Sequence, residues 1–290
     1  MRTLVMLTSV GLLLAGGAAS PAVEAADGVE ITEWKVPWDG TRPRDPYVDG
    51  GGRVWFVGQR GDYVAYLNPS TGEFKRYDLD DGAGPHNLIV DDAGMVWYTG
   101  NRAAYIGRLD PTDGAITRYP MPNPAARDPH TMVFDRNGDI WFTVQGGNFV
   151  GKLGTRTGAV ELISVPTERA RPYGIKVDAD NRPWFVEVGT NKLASVDPET
   201  LELSEISLPR AEARPRRLGL TSDGTLWFVD YAGGYLGSFD PATGSHEEWL
   251  SPGGEGSRPY GMAVDEQDRL WFVETGLTPN RFVGFDPVTK

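Results

Sequence analysis

The chain has 290 residues, a formal net charge of -12 and no cysteine. That balance gives none of the basic footprint nucleic acid needs, and the missing thiols exclude both a disulfide framework and a lipoprotein anchor. Gly 37, Pro 22 and Trp 9, with almost no stretch of good helix formers, point to a turn-rich all-β protein.

Residues 1–25 read differently from the rest. Arg2 gives a short positive start, "LVMLTSVGLLLAGGAA" is an apolar run, and "VEA" ending at Ala25 offers a small-residue cleavage site. This is the pattern of a secretory signal peptide, too short and too weakly flanked to serve as a membrane anchor. The expectation is a soluble periplasmic or secreted monomer whose single domain spans residues 26–290.

A lone strand follows at "VEITEWKVP" (29–37), and then a repeat begins. The pairs Trp55-Phe56, Trp97-Tyr98, Trp141-Phe142, Trp184-Phe185, Trp227-Phe228 and Trp271-Phe272 fall 42, 44, 43, 43 and 44 residues apart. Each unit runs in one order: a Pro-led strand, a turn carrying Gly or Asn, the Trp strand, a third strand, a "DP-x-T-G"-like turn and an outer strand ending in Pro. Asp-Pro opens a type I turn, and the trailing Gly takes the left-handed conformation of a bulged hairpin. Four short strands with a period near 43 residues make a β-propeller blade, and six blades are countable. The Trp in each unit is the large residue wedged between blades. The last unit stops at "DPVTK", short of its fourth strand. The expectation is that Ile31–Val36 takes that place beside Phe282–Asp286 and closes the ring; the alternative is a seventh blade following Lys290.

In a propeller the first strand of each blade lines the central channel, so the residue after each Pro converges on one funnel. Around the ring that position reads Arg44, His86, His130, Tyr173, Arg216 and Tyr260; the residue before the Pro reads Arg42, Gly84, Asp128, Arg171, Arg214 and Arg258. Near the end of the second strand come Gln59, Asn101, Gln145, Glu187, Asp230 and Glu274. Two histidines from adjacent blades can sit side by side, either as functional groups or as caps of strand ends. Six rim arginines suit a carboxylate or phosphate; alternatively Arg171, Arg214 and Arg258 pair with Glu187, Asp230 and Glu274. No Gly-rich phosphate loop opens a helix, no Ser sits in a nucleophile elbow, and "DRNGD" (135–139) reads as an inter-strand turn.

The repeat "RPYGI…LWFVE…FDP-T" resembles the virginiamycin B lyase (streptogramin lyase) family over residues 31–286. That resemblance implies a propeller, of seven blades in the family, that linearises a cyclic depsipeptide antibiotic by elimination at its ester and so confers antibiotic resistance. It implies Mg2+ held by two carboxylates to stabilise the enolate, a histidine that takes the α-proton, and a second histidine one blade earlier on the substrate. The family's acid-Pro-His triplet matches Asp128-Pro129-His130 alone. By that match His130 is the base, Asp128 a metal ligand and His86 a substrate contact, with Gln145 at the place of the second carboxylate. Tyr173, Arg214, Arg216, Arg258 and Tyr260 complete the expected substrate-binding rim. The leading expectation is a metal-assisted carbon–oxygen lyase acting on a small or peptide-like ligand in the funnel. The alternatives are a non-catalytic binding propeller for an anionic peptide or glycan, and a lactonase-type hydrolase.

Overall fold

The computed structural model describes Val23–Glu24 and residues 30–290. The rest of the expected leader, including the Ala25 cleavage site, lies outside the described residues. Every regular element among those described is a strand, and six antiparallel sheets follow one another along the chain. Blades 1 to 6 span residues 43–78, 88–120, 129–164, 172–207, 215–250 and 259–285; the first five have four strands and the sixth has three. The six-bladed all-β propeller read from the 43-residue period is what forms.

The recurrent turn between first and second strands is tied to the recurrent Trp. In blade 1, Asp49 Oδ1 accepts from the backbone N–H of Gly51 and Arg53, and its Oδ2 accepts from Trp55 Nε1 at 2.8 Å. Asp91, Asp178 and Asp265 hold Trp97, Trp184 and Trp271 in the same way, and Thr221 holds Trp227. In these five blades the turn fixes the Trp as well as the chain reversal, whereas the buried Trp141 Nε1 of blade 3 has no hydrogen-bond partner.

Side chains alternate along a strand, so the adjacent aromatics of each pair face opposite neighbours. Trp55 packs forward into the seam that holds Tyr98 of blade 2, and Trp97 meets Phe142 of blade 3. Trp141 shares a seam with Phe185, Trp184 with Phe228, and Trp227 with Phe272. Five seams repeat this pattern, and it stops at the sixth blade. There Trp271 stacks on its own blade's Phe282 at 5.1 Å, and Phe282 is 70% exposed.

The N-terminal segment does not close the ring as expected. Ile31 pairs with Val23 and Glu30 with Glu24, and the sixth sheet ends at Arg281–Phe285. Val36 and Trp38 instead cover Phe56 and Tyr63 on the face of blade 1 that no preceding Trp fills. Burying an exposed aromatic face outweighs pairing one strand edge, because the apolar area removed from water is larger than the net gain of a few backbone hydrogen bonds.

Candidate functional site

Outside blade 2, whose first strand starts at Leu88, each first strand starts at its Pro, which pairs with the end of the second strand: Pro43 with Gly58, Pro129 with Val144, Pro172 with Glu187, Pro215 with Asp230, Pro259 with Glu274. The register then shifts by one residue on the first strand in blades 1, 3, 4, 5 and 6. Such a bulge sets two successive residues against one, so the strand bends and two side chains in a row can aim at the mouth. The position after Pro therefore delivers its side chain to the funnel, and so does the next one.

His86, His130, Tyr173, Arg216 and Tyr260 meet there as expected. The rings of His86 and His130 lie 3.7 Å apart, His130 lies 4.1 Å from Tyr173, and the Tyr173 and Tyr260 hydroxyls are hydrogen-bonded at 2.7 Å. The Arg216 guanidinium covers Tyr173, Tyr231 and Tyr260 at 5.0, 4.4 and 4.9 Å, cation–π contacts that hold a planar cation among rings. Arg217 lies 5.3 Å from both Tyr173 and Tyr260. A web centred on Asp45 joins them: Arg217 at 3.4 Å, Arg44 at 3.6 Å, His86 Nδ1 at 3.7 Å and Asn87 Nδ2 at 3.3 Å. Asn87 Oδ1 in turn accepts from Met132 N–H, locking blade 2 to blade 3.

Asp45, Asn87 and Arg217 went unnoticed in the sequence. The column two residues after each Pro would have shown them: Asp45, Asn87, Thr131, Gly174, Arg217 and Gly261, without one large apolar residue.

The two imidazoles are buried, His86 5% and His130 3% exposed. Burial pushes His86 down to about 3, against the pull of Asp45 and helped by Arg44, Arg217 and Arg42. Burial also holds His130 well below its ordinary range, with His86, Arg217, Arg44 and Arg216 adding to it. Both rings are neutral at neutral pH. The base that the resemblance implies for His130 needs ordinary basicity, but the charges around the ring are cationic. Tyr173 is raised, first by burial and then by Tyr260. Burial alone would raise Tyr260 too; Arg217 and the hydrogen bond from Tyr173 outweigh it and bring it below the usual phenol value.

Other expected residues lie apart from this cluster. Asp128 accepts from the backbone N–H of Gly146 at 2.6 Å and Gly147 at 3.1 Å, so both its oxygens hold a rim turn. Arg214 donates to the carbonyls of Ala211 and Ala213 in its own loop. Arg258 is exposed with φ 50°, and its carbonyl accepts from Thr275. The expected rim ion pairs do not form. Asp230 pairs with Arg210 at 2.6 Å, Glu187 accepts from Thr190, and Glu274 accepts from Ser251 and Gly253.

The second-strand column is also one residue out in blades 1 to 3. Gly58, Gly100 and Val144 stand where Glu187, Asp230 and Glu274 stand in blades 4 to 6. Gln59 instead supports Arg44 at 2.9 Å, and Asn101 donates to the Pro129 carbonyl.

Mg2+ demands several oxygen donors in near-octahedral array. At the Asp128–His130 segment one carboxylate is engaged by two amides, and the position of the other is Val144. Asp45 is flanked by Arg44 and Arg217, where a divalent cation would be repelled. Among the described residues no three His, Asp or Glu side chains converge as a metal-binding group. The residues present do not fit the ion.

The chain matches the family model described as "Virginiamycin B lyase family" over residues 22–278. Among solved structures it is similar to a streptogramin B lyase, with 29% identity, 87% of this chain and 85% of that chain covered, and a TM-score of 0.78. It is also similar to the virginiamycin B lyase of Staphylococcus aureus, with 27% identity, 84% of each chain covered and a TM-score of 0.76. A gluconolactonase of Xanthomonas campestris shares the fold at 18% identity, with 92% of this chain and 98% of that chain covered and a TM-score of 0.62. No curated protein matches the sequence. With the family model spanning most of the chain and the six-bladed fold in place, this protein belongs to the virginiamycin B lyase family.

Proposed function

We propose that the funnel binds a carboxylate-bearing substrate and opens a carbon–oxygen bond by elimination, with arginines in the charge-stabilising role the family's metal would fill. One observation carries this reading: three guanidiniums share one carboxylate and one set of tyrosine rings, with Arg44 and Arg217 reaching Asp45 and Arg216 and Arg217 lying against Tyr173 and Tyr260. In a protein of net charge -12, that local cationic excess favours an anion. In the step, a base takes the proton α to the carbonyl, that electron pair forms the C=C bond, and the C–O bond breaks. An ester leaving group departs as a carboxylate, so no second proton is required. Arg216 and Arg217 meet the charge that grows on the enolate oxygen. The Tyr173–Tyr260 hydroxyl pair is the proton-handling group nearest those guanidiniums.

A binding module without turnover is the second reading. The burial of both imidazoles favours it, since a buried neutral ring of low basicity is a poor base. We take export, with cleavage near Ala25, as part of either reading, and intact-mass measurement of protein from the producing cell tests it.

Mass spectrometry separates the readings on two probes, a streptogramin B depsipeptide and trigalacturonate. Elimination opens a cyclic probe without changing its mass and creates a conjugated chromophore. Hydrolysis of the lactonase kind adds one water. Binding by calorimetry with no conversion leaves the module reading standing, and neither binding nor conversion removes both.

A further inference from the structure

Below the funnel the first strands enclose a cavity of about 350 Å³. Its wall includes Asn87, Thr131, Met132, Lys176 and Arg217, and no Asp or Glu. Four residues after the Pro, the other blades place Tyr47, Ile89, Val133, Gly219 and Ala263, so Lys176 is the one charge at that level. Among the described residues it forms no ion pair. Its side chain is exposed to the water of the channel and faces the channel walls.

We propose that this channel is a second anion site, holding a small oxyanion between Lys176 and Arg217. Two cations line one cavity with no acid in its wall, and a cleft lined by one sign of charge between apolar walls concentrates counter-ions. Arg217 spends one nitrogen on Asp45 at 3.4 Å, and its planar fork has donors left for a second oxygen acceptor. The lysine side supplies a compact charge with three donors, a combination suited to a tetrahedral oxyanion. The site goes beyond the funnel reading and shares only Arg217 with it.

Inorganic phosphate is the probe, titrated calorimetrically at fixed ionic strength. The parent protein binds one phosphate. Lys176→Met weakens it at least about tenfold, as loss of one charge-assisted contact does. Lys176→Arg retains binding, and Arg216→Gln, which alters only the funnel, leaves it unchanged. Melting gives a second readout: phosphate raises the transition of the parent and not that of Lys176→Met. No phosphate binding by the parent, equal binding by Lys176→Met, or loss in Arg216→Gln would overturn the proposal.

Discussion

Blades 1 and 2 differ from blades 4 to 6 in how they finish the second strand. In the first pair the terminal residue is Gly58 or Gly100, and the ring of Tyr63 or Tyr105 fills the space a side chain would take; a Cβ on Gly58 would stand 2.1 Å from the Tyr63 ring. In the later blades the same position holds a fully buried acid, Glu187, Asp230 or Glu274, whose oxygens tie down rim loops. One structural task is met by packing on one side and by buried charge on the other. The funnel divides along the same line, with neutral imidazoles from blades 2 and 3 and the tyrosine–arginine cluster from blades 4 to 6. Arg44 and Asp45 of blade 1 complete the charged web on the other side of the imidazoles.

The largest effect expected is from Asp230→Ala. It strips the carboxylate that pairs with Arg210 and accepts from the N–H groups of Arg214 and Ala232. Leaving those partners unmet costs about 3 kcal/mol, measurable by denaturant unfolding. A loss near zero would mean that the acid is dispensable and the contrast empty. Gly58→Ala probes the other half. The new methyl must push the Tyr63 ring aside, at a cost of about 2 kcal/mol, and adding Tyr63→Leu recovers part of it. No coupling between the two changes would show that the ring does not own that space.

Glu187 sharpens the comparison through pH. Burial raises it to about 7 from 4.5, with Thr190 opposing and Glu205 adding. Between those values the folded state keeps a proton that the unfolded chain releases, so this group's contribution falls as pH rises from 4.5 to 7 and is level above that. Glu187→Gln removes the slope. Its melting temperature relative to the parent should therefore rise between pH 5 and pH 8, by the equivalent of about 2 kcal/mol. A constant difference across that range contradicts the assignment. His86 acts in the opposite sense, because the unfolded imidazole takes up a proton below 6.5 that the folded one refuses until about 3. The smallest effect belongs to Arg214→Ala. Its guanidinium serves its own loop, so stability changes by less than about 0.5 kcal/mol and ligand affinity stays put.

The blade repeat was legible because one Trp per unit marks it and each Trp must be packed between blades. Six funnel side chains, Arg44 among them, were legible from the residue after Pro. Arg217 and Asp45 were not, because simple alternation turns them away and only a bulge turns them in; Asn87 precedes the short first strand of blade 2, which carries no such shift. The second-strand column slipped in blades 1 to 3 because the residue sought was polar, while Gly58 and Gly100 are chosen for the Tyr ring they admit. The place of Val36 and Trp38 depended on an open aromatic face of blade 1, which local sequence cannot display.

The central claim is that the tyrosine–arginine side of the funnel, and not the Asp128–His130 segment, holds the ligand. Calorimetric titration of trigalacturonate into the parent, Arg216→Gln and Asp128→Asn tests it most directly. Arg216→Gln should weaken binding about tenfold or more, and Asp128→Asn should change it by less than about twofold. The reverse pattern, with affinity lost in Asp128→Asn and kept in Arg216→Gln, would contradict the account.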